Sequence, residues 1–326
     1  MLIKNILYDY YSTQCLYTVN KLDIAKHLIS KKSIAELATL TNSDESKLYR
    51  IMRFLSAKGL FNESPDKHFS LNDESRFLLS STSGNLKNFI ELHGAYFYQG
   101  AAKFFESIDG DTTPFEIAFG KAAHKLFEDD IEIGKIYNRA MQESSEYYGK
   151  LAVNKYDFSP YKTIIDIGGG YGSFLVNILK SNTNIRGINF DLPSLQADAE
   201  VYFKREQLSD RCYYIAGSFF DSIPAGGDLY IFKSIFHGKT DDQALTILNN
   251  TKTVLPVTGK ILLIERMIMS GENFLDGCLN DINMLNVTNG GVRTFDEYQS
   301  LFDSSGFFIK KIKPLEDALQ MIELSL

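Results

Sequence analysis

Two periodicities divide this chain. Up to about residue 155 the apolar positions recur at helical spacing. In "LATLTNSDESKLYRIMRFLSAKGLF", Leu48, Ile51, Met52 and Leu55 fall at i, i+3, i+4 and i+7, the apolar face of one helix. Asn42 or Ser43 can cap that helix, and Gly59 can end it. A short helical unit, "SIAELATLT", precedes it, and "GLFNESPDKHFSLN" follows as two short strands about a Pro-Asp turn. Helix, turn, helix and hairpin is the order of a winged helix. Two longer helical stretches come next, "GNLKNFIELHGAYFYQGAAKFFESI" and "DIEIGKIYNRAMQESSEYYGKLA". The second sets Ile136, Tyr137, Ala140, Met141 and Ser144 at helical spacing.

From residue 161 the period shortens. "TIIDIG", "IRGINFD", "CYYIAG", "DLYIFKSI" and "KILLIER" are short, β-rich runs that alternate with helical stretches such as "SFLVNILKSN" and "TDDQALTILNNTKTVL". Continuous apolar strands separated by helices predict a parallel sheet covered on both faces, because such strands have no wet side. The pattern therefore predicts two domains. Residues 1–155 form a mainly helical winged-helix domain, and residues 156–326 form a Rossmann-like α/β domain with a doubly wound, mostly parallel sheet.

Charge narrows the reading of the first domain. The 326 residues carry a net charge of −7, and nucleic-acid binding needs a basic footprint. Lys47, Arg50 and Arg53 share their helix with Glu45 and with Asp44 at its start. The module therefore reads as structural or dimerising, and no nucleic-acid partner is expected. No window holds the roughly twenty uncharged apolar residues of a membrane span. Lys4, Tyr8, Asp9 and Tyr10 interrupt the start where a signal peptide needs a clean apolar core. A cytoplasmic protein with no membrane partner is the expectation. Cys15, Cys212 and Cys278 form no C-x-x-C pair, and the histidines show no i, i+4 pairing, so no metal site is expected.

The chemistry starts at "TIIDIGGGYGSF", where a strand runs straight into a helix. Glycines let the backbone turn tightly and approach a ligand closely. Ser173 stands where a dinucleotide loop wants Gly or Ala. Asp166, just before the glycines, repels a pyrophosphate but suits a ligand with a cationic amino-acid end, such as S-adenosylmethionine. Asp191, at the tip of the next strand, can hold a ribose diol.

Further motifs follow in order: "LYRIMRFLSAKGLF", "YNRAMQESS", "IIDIGGGYG", "GINFDLP", "GSFFDSIPAGGDLYIFKSIFH", "GKILLIERMI", "DINMLNVTNGGVRT" and "FDEYQSLFDSSGF". Over nearly its full length the chain resembles S-adenosylmethionine-dependent small-molecule O-methyltransferases of the plant caffeate and bacterial polyketide-tailoring type, with an N-terminal winged-helix dimerisation domain. The resemblance implies a homodimer and methyl transfer to a hydroxyl of a small, aromatic or polyketide-like molecule. It implies that Asp166, Gly168 and Gly170 cradle the methionine end of the donor, that Asp191 holds the ribose, and that Leu192 is a further cofactor-binding residue. Ser218, Phe219 and Lys233 would complete the cofactor site. His237 matches the general base and Glu265 an acid that orients it, while Tyr137, Met141, Asn283 and Met284 would lie near the substrate. A histidine near pH 6.5 can take a phenol's proton during attack rather than beforehand.

Four positions depart from the family pattern. Ser218 replaces an Asp that takes the adenine amino group. Gly238 and Lys239 replace an Asp beside the base and a Trp against the adenine. Val292, in the shortened "GGVRT", replaces a second Glu to the histidine. Drift within a broad family is one explanation. A non-methylating reaction such as a cyclisation, with His237 and Arg293 polarising a carbonyl, is the other.

Overall fold

The computed structural model describes residues 2–326, which divide into two compact units, residues 2–102 with Leu126–Glu143, and Lys103–Lys125 with Ser144–Leu326. The division falls inside the 25-residue helix Ile131–Lys155.

The first unit is built around the helices Ile34–Leu40 and Glu45–Ala57 and a three-stranded sheet of order β1-β3-β2, with β1 Lys32–Ser33, β2 Phe61–Glu63 and β3 His68–Leu71. This is the expected winged helix. Leu37, Leu48, Met52, Leu55, Phe61 and Phe69 bury their side chains in one cluster, each worth about 1.5–3 kcal/mol relative to exposure. Ser33 and Glu36 form a reciprocal capping box at the first helix. The cap of the second is Asp44, whose carboxylate accepts from Lys47 N at 2.8 Å. Neither Asn42 nor Ser43 serves as that cap; Asn42 takes a left-handed φ of 50° and turns the chain instead. Gly59 ends the helix at φ 90°, as its place in the sequence predicts.

The second unit is a sheet of order β10-β11-β8-β7-β4-β5-β6. Its strands are β4 Thr163–Ile167, β5 Arg186–Asp191, β6 Cys212–Ala216, β7 Leu229–Lys233, β8 Lys260–Ile268, β10 Phe308–Glu316 and β11 Leu319–Ser325; a short β9, Arg293–Thr294, pairs with β8. Strands β4 to β8 run parallel, and β10 and β11 add an antiparallel edge. Alternate residues of each central strand serve opposite faces. Ile164, Leu229, Ile231, Leu262 and Ile264 pack on one side with Phe174, Leu175 and Phe203. Ile165, Ile167, Tyr230, Phe232, Ile261 and Leu263 pack on the other with Ile247, Leu248, Tyr298 and Phe302. Both faces are covered, which is why the strands read as unbroken apolar runs.

The topology also locates the crevice. The chain moves outward from β4 through β5 to β6, then returns to the other side of β4 with β7 and β8. The reversal between β4 and β7 is the point where ligands bind at the carboxyl ends of such strands. Among the described residues, no helix is long and apolar enough to cross a membrane.

Candidate active site

At the carboxyl end of β4 the chain enters the glycine loop. Gly168, Gly170 and Gly172 take φ values of 71°, 59° and 82°, which a side chain would strain. A Cβ at Gly168 would strike Ile235 and come within 3.6 Å of the Phe219 ring, so the loop lies directly against those side chains. Nothing stands within 4 Å of the corresponding point on Gly170. Asp191, at the end of β5, accepts from Gly170 N and Leu192 N, each at 2.7 Å, and so ties the loop to the next strand. Burial raises its carboxyl, and those two amides pull it back. Leu192 is exposed beside it.

Asp166 is different. It is 1% exposed, and neither carboxylate oxygen has a hydrogen-bond partner. Burial pushes its carboxyl up to about 7; Lys233 opposes the rise and Asp191 adds to it. Lys233, at the end of β7, is lowered by burial and raised by Asp166 and Glu265. Asn189 also points a buried, unpartnered oxygen toward Gly169, while its amide donates to Gly170 O at 2.8 Å.

Beyond β7 the chain turns sharply. Ser234 takes φ 58°, a left-handed conformation that costs an ordinary residue on the order of 1–3 kcal/mol. The surrounding bonds hold it there. Ser234 N donates to Ile264 O at 3.0 Å. Glu265, 0% exposed in β8, accepts Ile235 N at 2.6 Å and Phe236 N at 2.7 Å through Oε1. Its Oε2 lies 2.6 Å from His237 Nδ1. A carboxylate only accepts, so Nδ1 carries a proton, and in the neutral imidazole Nε2 is left with its lone pair. The carbonyl side of the same turn is held by Arg293. Its Nη1 donates to Phe236 O and its Nη2 to Lys239 O, both at 2.8 Å, while Nε and Nη2 reach Asp241 Oδ1 at 3.0 and 2.7 Å. Gly290 packs against this backbone; a Cβ there would sit 2.6 Å from His237 O and 2.5 Å from Gly238 C.

Two of the departures from the family pattern, Ser218 and Lys239, meet at the Phe219–Phe220 pair. Ser218 Oγ accepts from Phe220 N at 3.2 Å, and Lys239 Nζ stands 5.7 Å from the ring centres of Phe219 and Phe220. Val292 is buried, and its N donates to Asp281 Oδ1 at 2.9 Å. Asn283 and Met284 lie half-buried on the helix Phe274–Val287 of the second unit. Tyr137 and Met141 belong to the first unit, where the Tyr137 ring stacks on Phe127 at 4.5 Å. Sequence reasoning missed Arg293 as a clamp, Gly290 as a floor and Asn189 beside the glycine loop. Of these only Asn189 left a signal, a polar residue inside the apolar run "GINFD".

A doubly wound sheet with a glycine loop, an unpartnered acid and an acid-supported histidine at its switch point defines a nucleoside-dependent transferase site. Residues 98–308 match the O-methyltransferase domain family, and residues 5–81 match the O-methyltransferase dimerisation domain. The chain is 32% identical over 323 residues to phenazine O-methyltransferase PhzM of Lysobacter antibioticus, covering 99% of this chain and 95% of that enzyme. The crystal structure of LaPhzM superposes with a TM-score of 0.90 at 32% identity, over 99% of this chain and 98% of that one. The mitomycin 7-O-methyltransferase MmcR gives a TM-score of 0.89 at 25% identity, over 99% and 96%. This chain belongs to the O-methyltransferase family, enzymes whose methyl donor is S-adenosylmethionine. The residues fit that donor: an orphaned, buried carboxylate beside an open glycine loop suits a cationic amino-acid end.

Proposed function

We propose that this enzyme transfers a methyl group from S-adenosylmethionine to a hydroxyl of a small, hydroxylated aromatic or polyketide-like molecule, with His237 as general base. The observation that carries this reading is the His237–Glu265 pair at 2.6 Å beside the glycine loop. The donor supplies a methyl carbon already made electrophilic by its sulfonium. Asp166, Gly168 and Gly170 hold its amino-acid end, Asp191 and Leu192 its ribose, and Ser218, Phe219 and Lys233 the remainder. Nε2 of His237 takes the acceptor's proton during attack, and Glu265 balances the imidazolium that results. Tyr137, Met141, Asn283 and Met284 contact the acceptor.

Arg293 bears on the alternative of a carbonyl-polarising, non-methylating enzyme. Its donors go to Phe236 O, Lys239 O and Asp241, which favours a role in holding the loop. The test is methyl transfer from labelled S-adenosylmethionine to a panel of hydroxylated aromatics that includes hydroxyphenazines. His237→Ala should lose about 10²–10⁴-fold in turnover while binding S-adenosylhomocysteine as the wild type does. Unchanged turnover removes His237 as the base, and a wild-type protein that binds no donor removes the whole reading.

We further propose a helical dimerisation domain over 1–155, a catalytic domain over 156–326 and a homodimer. The N-terminal helix Leu2–Lys21 exposes Leu2, Ile3, Ile6, Leu7 and Tyr11, an apolar surface of the kind that marks an interface. Light scattering should give twice the chain mass; a stable monomer sinks the dimer. A cytoplasmic setting is part of the same proposal, and cell fractionation that finds the protein outside the cytoplasm would overturn it.

A further inference from the structure

The ammonium of Lys239 belongs to a built site. Lys239 N donates to Phe236 O at 3.1 Å, and Lys239 O accepts from Arg293 at 2.8 Å, so the residue is fixed at both backbone groups. Its Nζ stands over Phe219 and Phe220, whose rings meet edge to face with centres 4.8 Å apart. Asn250 Nδ2 anchors the carbonyls of both phenylalanines at 3.0 and 2.9 Å. The charge of Glu265 acts on Lys239, but its oxygens are already engaged by Ile235, Phe236 and His237. Lys239 thus holds three N–H donors in a half-buried position, with no acid among the described residues paired to them.

The position follows from the sheet. Asp191 ends β5, and Gly217 N, just past β6, donates to Asp191 O at 2.9 Å. Ser218 comes next, then Phe219, whose ring stands against Gly168. A path therefore runs from the acid at the second strand tip, along Ser218 and Phe219, to Lys239. With a ribose on the strand-tip acid, Ser218, Phe219 and Lys239 are the residues of this path that would meet the base of a nucleoside. The hydroxyl of Ser218 accepts from Phe220 N, which leaves its own hydrogen to donate.

We propose that Lys239 and Ser218 form a donor-bearing edge that reads the purine of the cofactor. This rests on the S-adenosylmethionine reading above. An acidic pocket accepts from the exocyclic amino group of adenine and repels the oxygen that hypoxanthine carries at the same ring position. Lys239 donates to a ring nitrogen of adenine or to the oxygen of hypoxanthine, and Ser218 donates or accepts as required. The site should therefore tolerate the deaminated nucleoside.

Calorimetric titration of the whole protein with S-adenosylhomocysteine and S-inosylhomocysteine tests this without turnover. The wild type should bind the two within about tenfold of each other, because neither leaves a buried partner unpaired. Ser218→Asp should widen that ratio by about tenfold or more in favour of the adenosyl compound. Lys239→Met should weaken the inosyl compound by about tenfold or more, the loss of one charge-assisted bond, and Lys239→Arg should recover most of it. Binding of the adenosyl compound by each variant reports an intact fold. A wild type that rejects the inosyl compound by more than tenfold overturns the proposal, and so does a Lys239→Met variant whose inosyl affinity falls by less. A wild type that binds neither compound defeats the cofactor reading itself.

Discussion

Asp166 and Glu265 are acids buried in two strands of one sheet, β4 and β8, at 1% and 0% exposure, and they are opposites. Glu265 is saturated: two backbone N–H groups meet one oxygen and the His237 imidazole meets the other. Asp166 has two oxygens and no donor. Removing a charge from water costs several kcal/mol unless hydrogen bonds return it. The protein itself supplies that return for Glu265, so the acid is part of the frame that aims the histidine. It is withheld from Asp166, and on the proposed function the missing donor comes from the ligand.

The harshest way to break that contrast is Glu265→Gln. The amide oxygen can still accept Ile235 N and Phe236 N, so the turn has a reason to persist. The amide nitrogen, however, now donates toward His237 Nδ1 and forces the proton onto Nε2. A base in the wrong tautomer loses on the order of 10⁴-fold in turnover in a comparable acid–histidine arrangement. We expect a loss of about 10³–10⁴-fold here, with S-adenosylhomocysteine affinity unchanged. Nitrogen chemical shifts of the imidazole should move the proton from Nδ1 to Nε2. A variant that keeps its turnover would mean that Glu265 supports the backbone turn alone.

Much of this was legible in the chain, and what was not has a common cause. The strands β4 to β8 and the winged-helix order follow from local apolar spacing, which needs no partner. Gly59 ends its helix because only the local backbone matters there. Asp44 replaced Asn42 and Ser43 as the cap because three polar residues in a row all offer an oxygen, and the backbone turn at Asn42 decided among them. Arg293 was unreadable as a clamp. Its partners Phe236, Lys239 and Asp241 lie more than fifty positions away, and only the folded sheet edge brings them together. Asp166 and Glu265 look alike in sequence, each one acid in an apolar run; their difference lies wholly in which donors the fold delivers.

Asp166→Asn sharpens the contrast from the other side, and its first effect should be a gain. The Asp166 carboxyl sits at about 7 in the fold against 3.8 otherwise, with burial the main cause. The folded state therefore holds this proton more tightly than the unfolded one. Between pH 3.8 and 7 the unfolded chain has lost the proton and the folded one has kept it, so stability falls as pH rises through that window. Above it the whole penalty is present, on the order of 4 kcal/mol from the size of the shift. An uncharged amide of the same shape carries no such term. The ligand-free variant should then melt higher than the wild type at pH 8, with the advantage fading toward pH 4. Binding should show the reverse. A cationic group brought to Asp166 favours the carboxylate, so S-adenosylhomocysteine should expel a proton from the wild type near neutral pH, seen as a buffer-dependent heat. The variant should bind about tenfold or more weakly, having lost a charge-assisted hydrogen bond, and its heat should no longer depend on the buffer. If instead Asp166→Asn lowers the melting temperature at pH 8 and leaves binding intact, Asp166 is a second framing acid and the contrast with Glu265 collapses.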